Sequence, residues 1–258
     1  MLNAAKRIWD NRSILRSIAL SQLRSKYAGT VLGAAWGVIN PIAVTLAIIF
    51  AFSAVLKINM DRFPLFVLAG FFPWTFFSSS VTDASRSFLE RKDILRQLNF
   101  PREIVPLAYA LAGFVDYLRG WIFILPLFVI FNHGALLFLP WLLVVLVLNF
   151  LFVCGACLIV SAVNVYYRDT AHLLNLGLMF WFWTTPIFYA PDMIPGKFFW
   201  IIAFNPLAQF LESYRAVLFS ARAPDPAALA VVTAWTCFSV IGGMTVFRRM
   251  ERDLLKRI

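Results

Sequence analysis

Two histidines, 13 carboxylates and three cysteines are the whole stock from which this sequence could build acid–base, metal or redox chemistry. A catalytic site needs a nucleophile, a base and an electrophilic stabiliser at one place, and the spacing here offers no such set. His133 and His172 stand at opposite ends of one long apolar run. The acidic residues are scattered, without the Asp-rich pair that holds magnesium and a diphosphate. No G-x-x-x-x-G-K-[ST] run is present, so the chain is expected to cradle no nucleotide of its own. Cys154, Cys157 and Cys237 lie among apolar residues. Spacing three in the first pair reads as small packing residues on one helix face. No metal or cofactor is expected in this chain.

Charge does occur where it is expensive. Asp116 and Arg119 sit three apart inside an apolar run, hence on one helix face, where ionised groups persist when paired or lining water. Two roles fit them: a neutralised structural pair, or a place in a translocation path against a lipid headgroup. Glu212 and Arg215 repeat the spacing and are expected to pair likewise. Aromatic residues cluster at 71–77 and again at 180–183. Interface belts explain many of them, while flat rings lining a conduit would also let the apolar C–H faces of sugars slide past.

The elements that must position these residues follow from composition. At 61% hydrophobic, 14% charged and a mean hydropathy of +0.79, the chain lies far outside the soluble mixture. It reads as a single all-α membrane domain over 1–258, with six spans at 34–56, 63–82, 104–131, 136–162, 171–189 and 227–247. Residues 5–26 set Ile8, Leu15, Ile18 and Leu23 among arginines and lysines, which fits a helix lying in the headgroup plane and equally a plain juxtamembrane anchor. The longest charged interruption, 83–103, is expected to hold a short amphipathic cytoplasmic helix. The stretch after the fifth span is too apolar for an outer loop and too broken by proline for a span, so 186–206 is expected to be re-entrant, dipping in from outside. With the N-terminus inside, 17 of the 23 basic residues fall on the cytoplasmic side, which places both termini there. The net charge of +10 therefore reads as orientation and not as nucleic-acid binding. Charges run through the first residues, so insertion is expected through the spans, without a removable signal.

Five passages in order carry a resemblance: SKYAGTVLGAAWGVINP from Ser25 to Pro41, LNFPREIVPL from Leu98 to Leu107, NVYYRD from Asn164 to Asp169, WFWTTPIFY from Trp181 to Tyr189, and NPLAQFLESYRAVL from Asn205 to Leu218. Together they resemble the permease subunits of polysaccharide-exporting ABC transporters, the O-antigen, teichoic acid and capsule group. The resemblance implies a homodimer in the bacterial inner membrane that encloses a channel and works with two copies of a separate ATPase, on which ATP and magnesium would bind. It turns 83–103 into a coupling segment, with Glu90, Arg91, Asp93, Leu95, Arg96 and Arg102 seating in the ATPase. It makes 186–206 an outer gate. The implied substrate is a lipid-linked polysaccharide, most closely O-antigen. Arg24, Lys26 and Arg168 would suit its diphosphate or serve only as positive-inside markers, and Trp36, Trp74, Trp181, Trp183 and Tyr189 are the expected sugar-stacking positions.

Rival readings make different demands. A permease for small lipophilic drugs or plain lipids would share the spans and the coupling segment, and amphiphiles would stimulate its ATPase. A membrane-embedded glycan ligase or phosphotransferase would need acidic or histidine residues facing one aqueous side, which the sparse inventory disfavours. A structural scaffold would tolerate loss of 83–103.

Overall fold

In lipid a backbone must close its own hydrogen bonds, which helices do within one segment. The computed structural model describes residues 2–51, 62–98, 100–167, 169–190, 193 and 195–257, and every regular element among them is helical. In chain order these are α1 (Leu2–Asp10), α2 (Arg12–Tyr27), α3 (Trp36–Ile49), α4 (Phe63–Glu90), α5 (Lys92–Gln97), α6 (Ile104–Phe131), α7 (Leu139–Tyr166), α8 (Thr170–Thr184), α9 (Phe199–Ala203), α10 (Pro206–Leu218) and α11 (Pro226–Arg257).

Four of these are long and apolar enough to cross a membrane: α4, α6, α7 with the 3₁₀ turn before it, and α11 up to Glu251. The other two expected spans are shorter among the described residues. α3 ends in a π turn at Phe50–Ala51, and the rest of the predicted 34–56 span lies outside the described residues. α8 has 15 residues, about 22 Å of helix against a hydrocarbon core of about 30 Å.

The interfacial stretch 5–26 is two helices, bent where the Asn11 side chain donates to the Arg7 carbonyl at 2.8 Å. The α2 helix buries Ile18, Ala19 and Leu23 and leaves its arginines outside, so it lies along the bundle by an apolar stripe. α4 starts after Arg62, whose backbone is left-handed (φ 55°), and Pro64 occupies the first turn, where a missing N–H costs nothing. The helix does not stop at residue 82. It continues to Glu90, so the segment expected to be a loop opens with more than two turns of the α4 rod. The amphipathic helix expected inside 83–103 is α5, which turns Leu95 inward.

α4 is the central rod, flanked by α6, α7 and α10. The closest helix pair is α7 with α11. A Cβ at Gly155 would collide with the backbone carbonyl of Ser239, and one at Gly243 would collide with the carbonyl of Gly155. The two backbones touch because neither carries a side chain there, which maximises dispersion where hydrophobic driving force between helices is absent.

After α8 the chain turns through residues 185–190, makes a 3₁₀ turn at Gly196–Phe198, and enters α9 and α10. Asn205 caps α10, accepting from the N–H of Leu207 at 3.1 Å, and Pro206 fills its first position. α10 buries Leu207, Phe210, Leu211 and Tyr214 almost completely. Asn132, in the turn after α6, donates to the carbonyls of Leu218 and Phe219 and closes the far end of α10. Cys154 and Cys157 are buried in α7, while Cys237 on α11 is exposed.

Candidate functional site

The charged pair in α6 does not stand alone. Asp116 receives Arg119 Nη1 on one oxygen at 3.0 Å. On the other it receives Lys26 Nζ at 3.1 Å and the Tyr27 hydroxyl at 3.0 Å. Lys26 and Tyr27 close the last turn of α2, so one carboxylate ties α2 to the middle of α6. Burial first, and then the Asp116 carboxylate beside it, push the Tyr27 phenol above its usual range, so it remains a donor. Two cations thus share the Asp116 carboxylate, and the Asp83 carboxyl of α4 also acts on Lys26. The cluster opens on a cavity of about 240 Å³ whose wall includes Trp36, Asn40, Thr75 and Ser79. Three of the sequence-predicted residues (Lys26, Trp36 and Asp116) thus meet at one cavity, with Arg119 bonded to its rim. Tyr27 gave no signal in the sequence, since nothing in local spacing connects residue 27 with residue 116. Arg24 is exposed on another face of α2, beside Ser17, Ser21 and Ser25. Arg168 lies outside the described residues.

A second polar group joins α2 to the end of α4. Arg91 donates to Ser21 Oγ at 3.0 Å, to Gln22 Oε1 at 3.4 Å and to the Tyr109 hydroxyl at 3.4 Å. Tyr109 in turn donates to Glu90 Oε2 at 2.6 Å. Glu90 and Arg91 therefore face their own bundle, and Leu95 is buried. Lys92, Asp93 and Arg96 on α5 are exposed, as are Arg86, Leu89, Glu90, Gln97 and Leu98. At its other end Arg102 donates to the Glu251 carbonyl at 3.1 Å, and buried Glu103 pairs with Arg7 at 2.8 Å. The segment 83–103 is thereby fastened to α1, α2, α6 and α11.

The aromatic residues divide by environment. Trp74 is buried, packed edge-on against Trp181 and tilted against Phe77 and Phe182. It is a core residue of the single chain, because the aromatic run on α4 turns inward. Trp181 is half-buried, its indole N–H held by Asn205 Oδ1 at 2.9 Å. Trp36 and Trp183 are exposed, and the Tyr189 hydroxyl donates to the carbonyl of Trp183 at 3.1 Å. Trp183 and Tyr189 share a cavity of about 350 Å³ with Phe198 and Ile202.

The expected pairing of Glu212 with Arg215 is corrected. Arg215 is 2% exposed. It donates to the carbonyls of Ile187 at 2.9 Å and Phe66 at 3.4 Å, with its guanidinium 3.6 Å from the Phe66 ring centroid. α10 is buried on the side that carries Arg215, so the side chain runs inward to carbonyls of α4 and the 185–190 turn while Glu212 stays nearer the surface. With Asn205, which also donates to Thr185 Oγ1 at 3.0 Å, Arg215 fastens the chain after α8 to both ends of α10.

The site thus sits in a helical bundle with four membrane-length apolar helices, with α2 tied to α6 and α10 buried among its neighbours. The comparisons give the family: residues 15–219 match the ABC-2 type transporter family, and the chain belongs to it. It is 30% identical over 243 residues, 92% of either chain, to the O-antigen export system permease protein RfbA of Klebsiella pneumoniae. It is 27% identical to the protein of that name from Myxococcus xanthus, over 93% of this chain and 95% of that one. The polysialic acid transport protein KpsM of Escherichia coli is 23% identical over the same shares. The chain is a multi-pass membrane protein and a transport subunit.

Proposed function

We propose that this chain forms the channel of an ATP-driven exporter that moves a lipid-linked polysaccharide of the O-antigen type out of the cytoplasm across the bacterial inner membrane. The observation that carries the reading is the similarity to O-antigen export permeases along nearly the whole chain. The half-exposed cations Lys26 and Arg119 at the cavity beside Asp116 support it, because their donors suit an anionic diphosphate. In this reading α3 and α8 complete six spans, both termini are cytoplasmic and 186–206 is the outer gate. Two copies pair through the apolar outer face of α8, where Leu176, Phe180 and Trp183 are exposed. Two copies of a separate ATPase bind ATP and magnesium and push on α5 through Asp93 and Arg96. Trp36, Trp183 and Tyr189 are the rings left open to sugar. Teichoic acid or capsule polymers fit the same machinery, and the lower identity to the polysialic acid relative ranks the capsule class behind.

The test is to delete the gene and locate the cell's long lipid-linked glycan in cytoplasmic and surface pools. Completed glycan that accumulates inside, and reaches the surface when the gene is restored, supports export. Glycan that is never completed would place the chain in synthesis. Stimulation of the paired ATPase by small amphiphiles, with surface glycan intact, would favour a drug or lipid permease.

A further inference from the structure

A cavity of about 840 Å³ lies apart from the charged cluster at Asp116 and reaches the region of 186–206 only at Pro206. It lies between one face of α8 and the wall made by α4, α7 and α11. α8 buries only Leu178 among its own residues and stands off from α11, and small residues widen the gap: Gly177 on α8, Ala156 on α7 and Ser239 on α11. A Cβ placed at Gly177 would meet nothing within 4 Å. The Ser239 hydroxyl is already spent on the Phe152 carbonyl at 2.8 Å, so the wall presents hydrocarbon, and a water there would find few partners.

The shape of the cavity selects its occupant. From Thr170 at the mouth to Trp181 at the deep end it follows α8 for about 17 Å, the depth of one leaflet of a hydrocarbon core about 30 Å thick. That is the length of one lipid chain. The mouth carries the exposed Asp169 carboxylate and the Tyr167 hydroxyl. A carboxylate attracts an ammonium group, and a lipid that carries both an ammonium and a phosphate meets Asp169 with the first.

We infer that this cleft is a binding site for a phospholipid of the bilayer with an amine headgroup, a phosphatidylethanolamine, one acyl chain lying along α8 and the ammonium at Asp169. The inference does not depend on which polymer the chain exports. The deep end of the chain would abut Trp181, whose indole is held by the cap of α10, so occupancy would brace α8 against the outer end of the bundle.

The test uses the full chain with its ATPase in nanodiscs containing either phosphatidylethanolamine or phosphatidylglycerol with a photoactivatable acyl chain, and mass spectrometry to map adducts. Adducts on Leu174 and Val160 are expected with phosphatidylethanolamine, about fivefold above phosphatidylglycerol, as one exposed ion pair would give. Asp169→Asn should erase that difference. Gly177→Phe fills the open space and should reduce cleft adducts to the level of the lipid-facing control residues Ile122 and Leu143. Equal cleft labelling by both lipids, or labelling that survives Gly177→Phe, overturns the inference. So does an unlabelled cleft crosslinked to a second copy, or displacement of the label by a lipid diphosphate. The comparison of the two lipids on unaltered protein decides the matter if Gly177→Phe fails to fold.

Discussion

Gly155→Ala and Gly177→Ala are the same chemical change in two helices and should move stability in opposite directions. Each gains up to about 1 kcal/mol of helix propensity. At Gly177 nothing opposes the gain, since the added Cβ meets open space, and a stabilisation of about 0.4–1 kcal/mol is expected. At Gly155 the Cβ would strike the Ser239 carbonyl and hydroxyl. Backbone cannot swing aside, so α7 and α11 must part by about 1 Å, a gap that forfeits a quarter to a half of each dispersion contact along the seam. Overpacking of this kind costs about 1–3 kcal/mol, and straining the Ser239–Phe152 hydrogen bond at 2.8 Å adds up to about 1 kcal/mol. The net loss is about 1–3 kcal/mol after the propensity gain. At about 2–4 °C per kcal/mol, Gly155→Ala should lower the unfolding midpoint by about 2–12 °C and Gly177→Ala should raise it by about 1–4 °C. Heating in detergent at one fixed scan rate with a thiol-reactive dye, in a Cys237→Ser background because Cys237 is exposed, reads this, since Cys154 and Cys157 on α7 are buried and react when the bundle opens around α7. Midpoints that shift the same way in both variants would refute the close contact of α7 with α11.

Three further outcomes follow from the polar ties. Arg91→Ala cuts α2 from the end of α4; ATP hydrolysis in vesicles should persist while glycan export falls, and unchanged export would show that the tie to Ser21 and Gln22 transmits nothing. Asp116→Asn leaves Lys26 and Arg119 side by side. Both are more than a third exposed, so the stability loss should be about 1 kcal/mol or less, but the C-terminal turn of α2 should loosen, read as faster amide hydrogen exchange over 21–30. Identical exchange in the variant would count against Asp116 as the anchor. Arg215→Lys keeps the charge yet cannot span the Ile187 and Phe66 carbonyls or stack on the Phe66 ring, and should cost about 2–4 kcal/mol; a thermal midpoint equal to that of the parent chain would sink this account.

The class of protein was legible in the sequence because lipid imposes simple rules. A run of about 20 apolar residues must be helical, and α6 occupies 104–131 as the hydropathy alone required. Spacing within one helix also told the truth for Asp116 and Arg119, three residues apart on α6. It failed for Glu212 and Arg215 because geometry along a helix says nothing of what lies across from it, and Arg215 found carbonyls of other segments at closer reach. Where α4 ends was hidden for a related reason: Asp83 and Arg86 mark the edge of the apolar run, but a helix propagates past that edge while its inward face, with Ala84, Ser87 and Phe88, still buries. The sequence by itself thus determined that this is a helical membrane subunit. Only tertiary packing decided that Tyr27 and Lys26 share a carboxylate with Arg119, that Trp74 turns into the core, and that α8 stands off to leave a cleft. Each of these joins residues far apart in the chain, and such meetings are fixed by which helix faces pack together rather than by any local pattern.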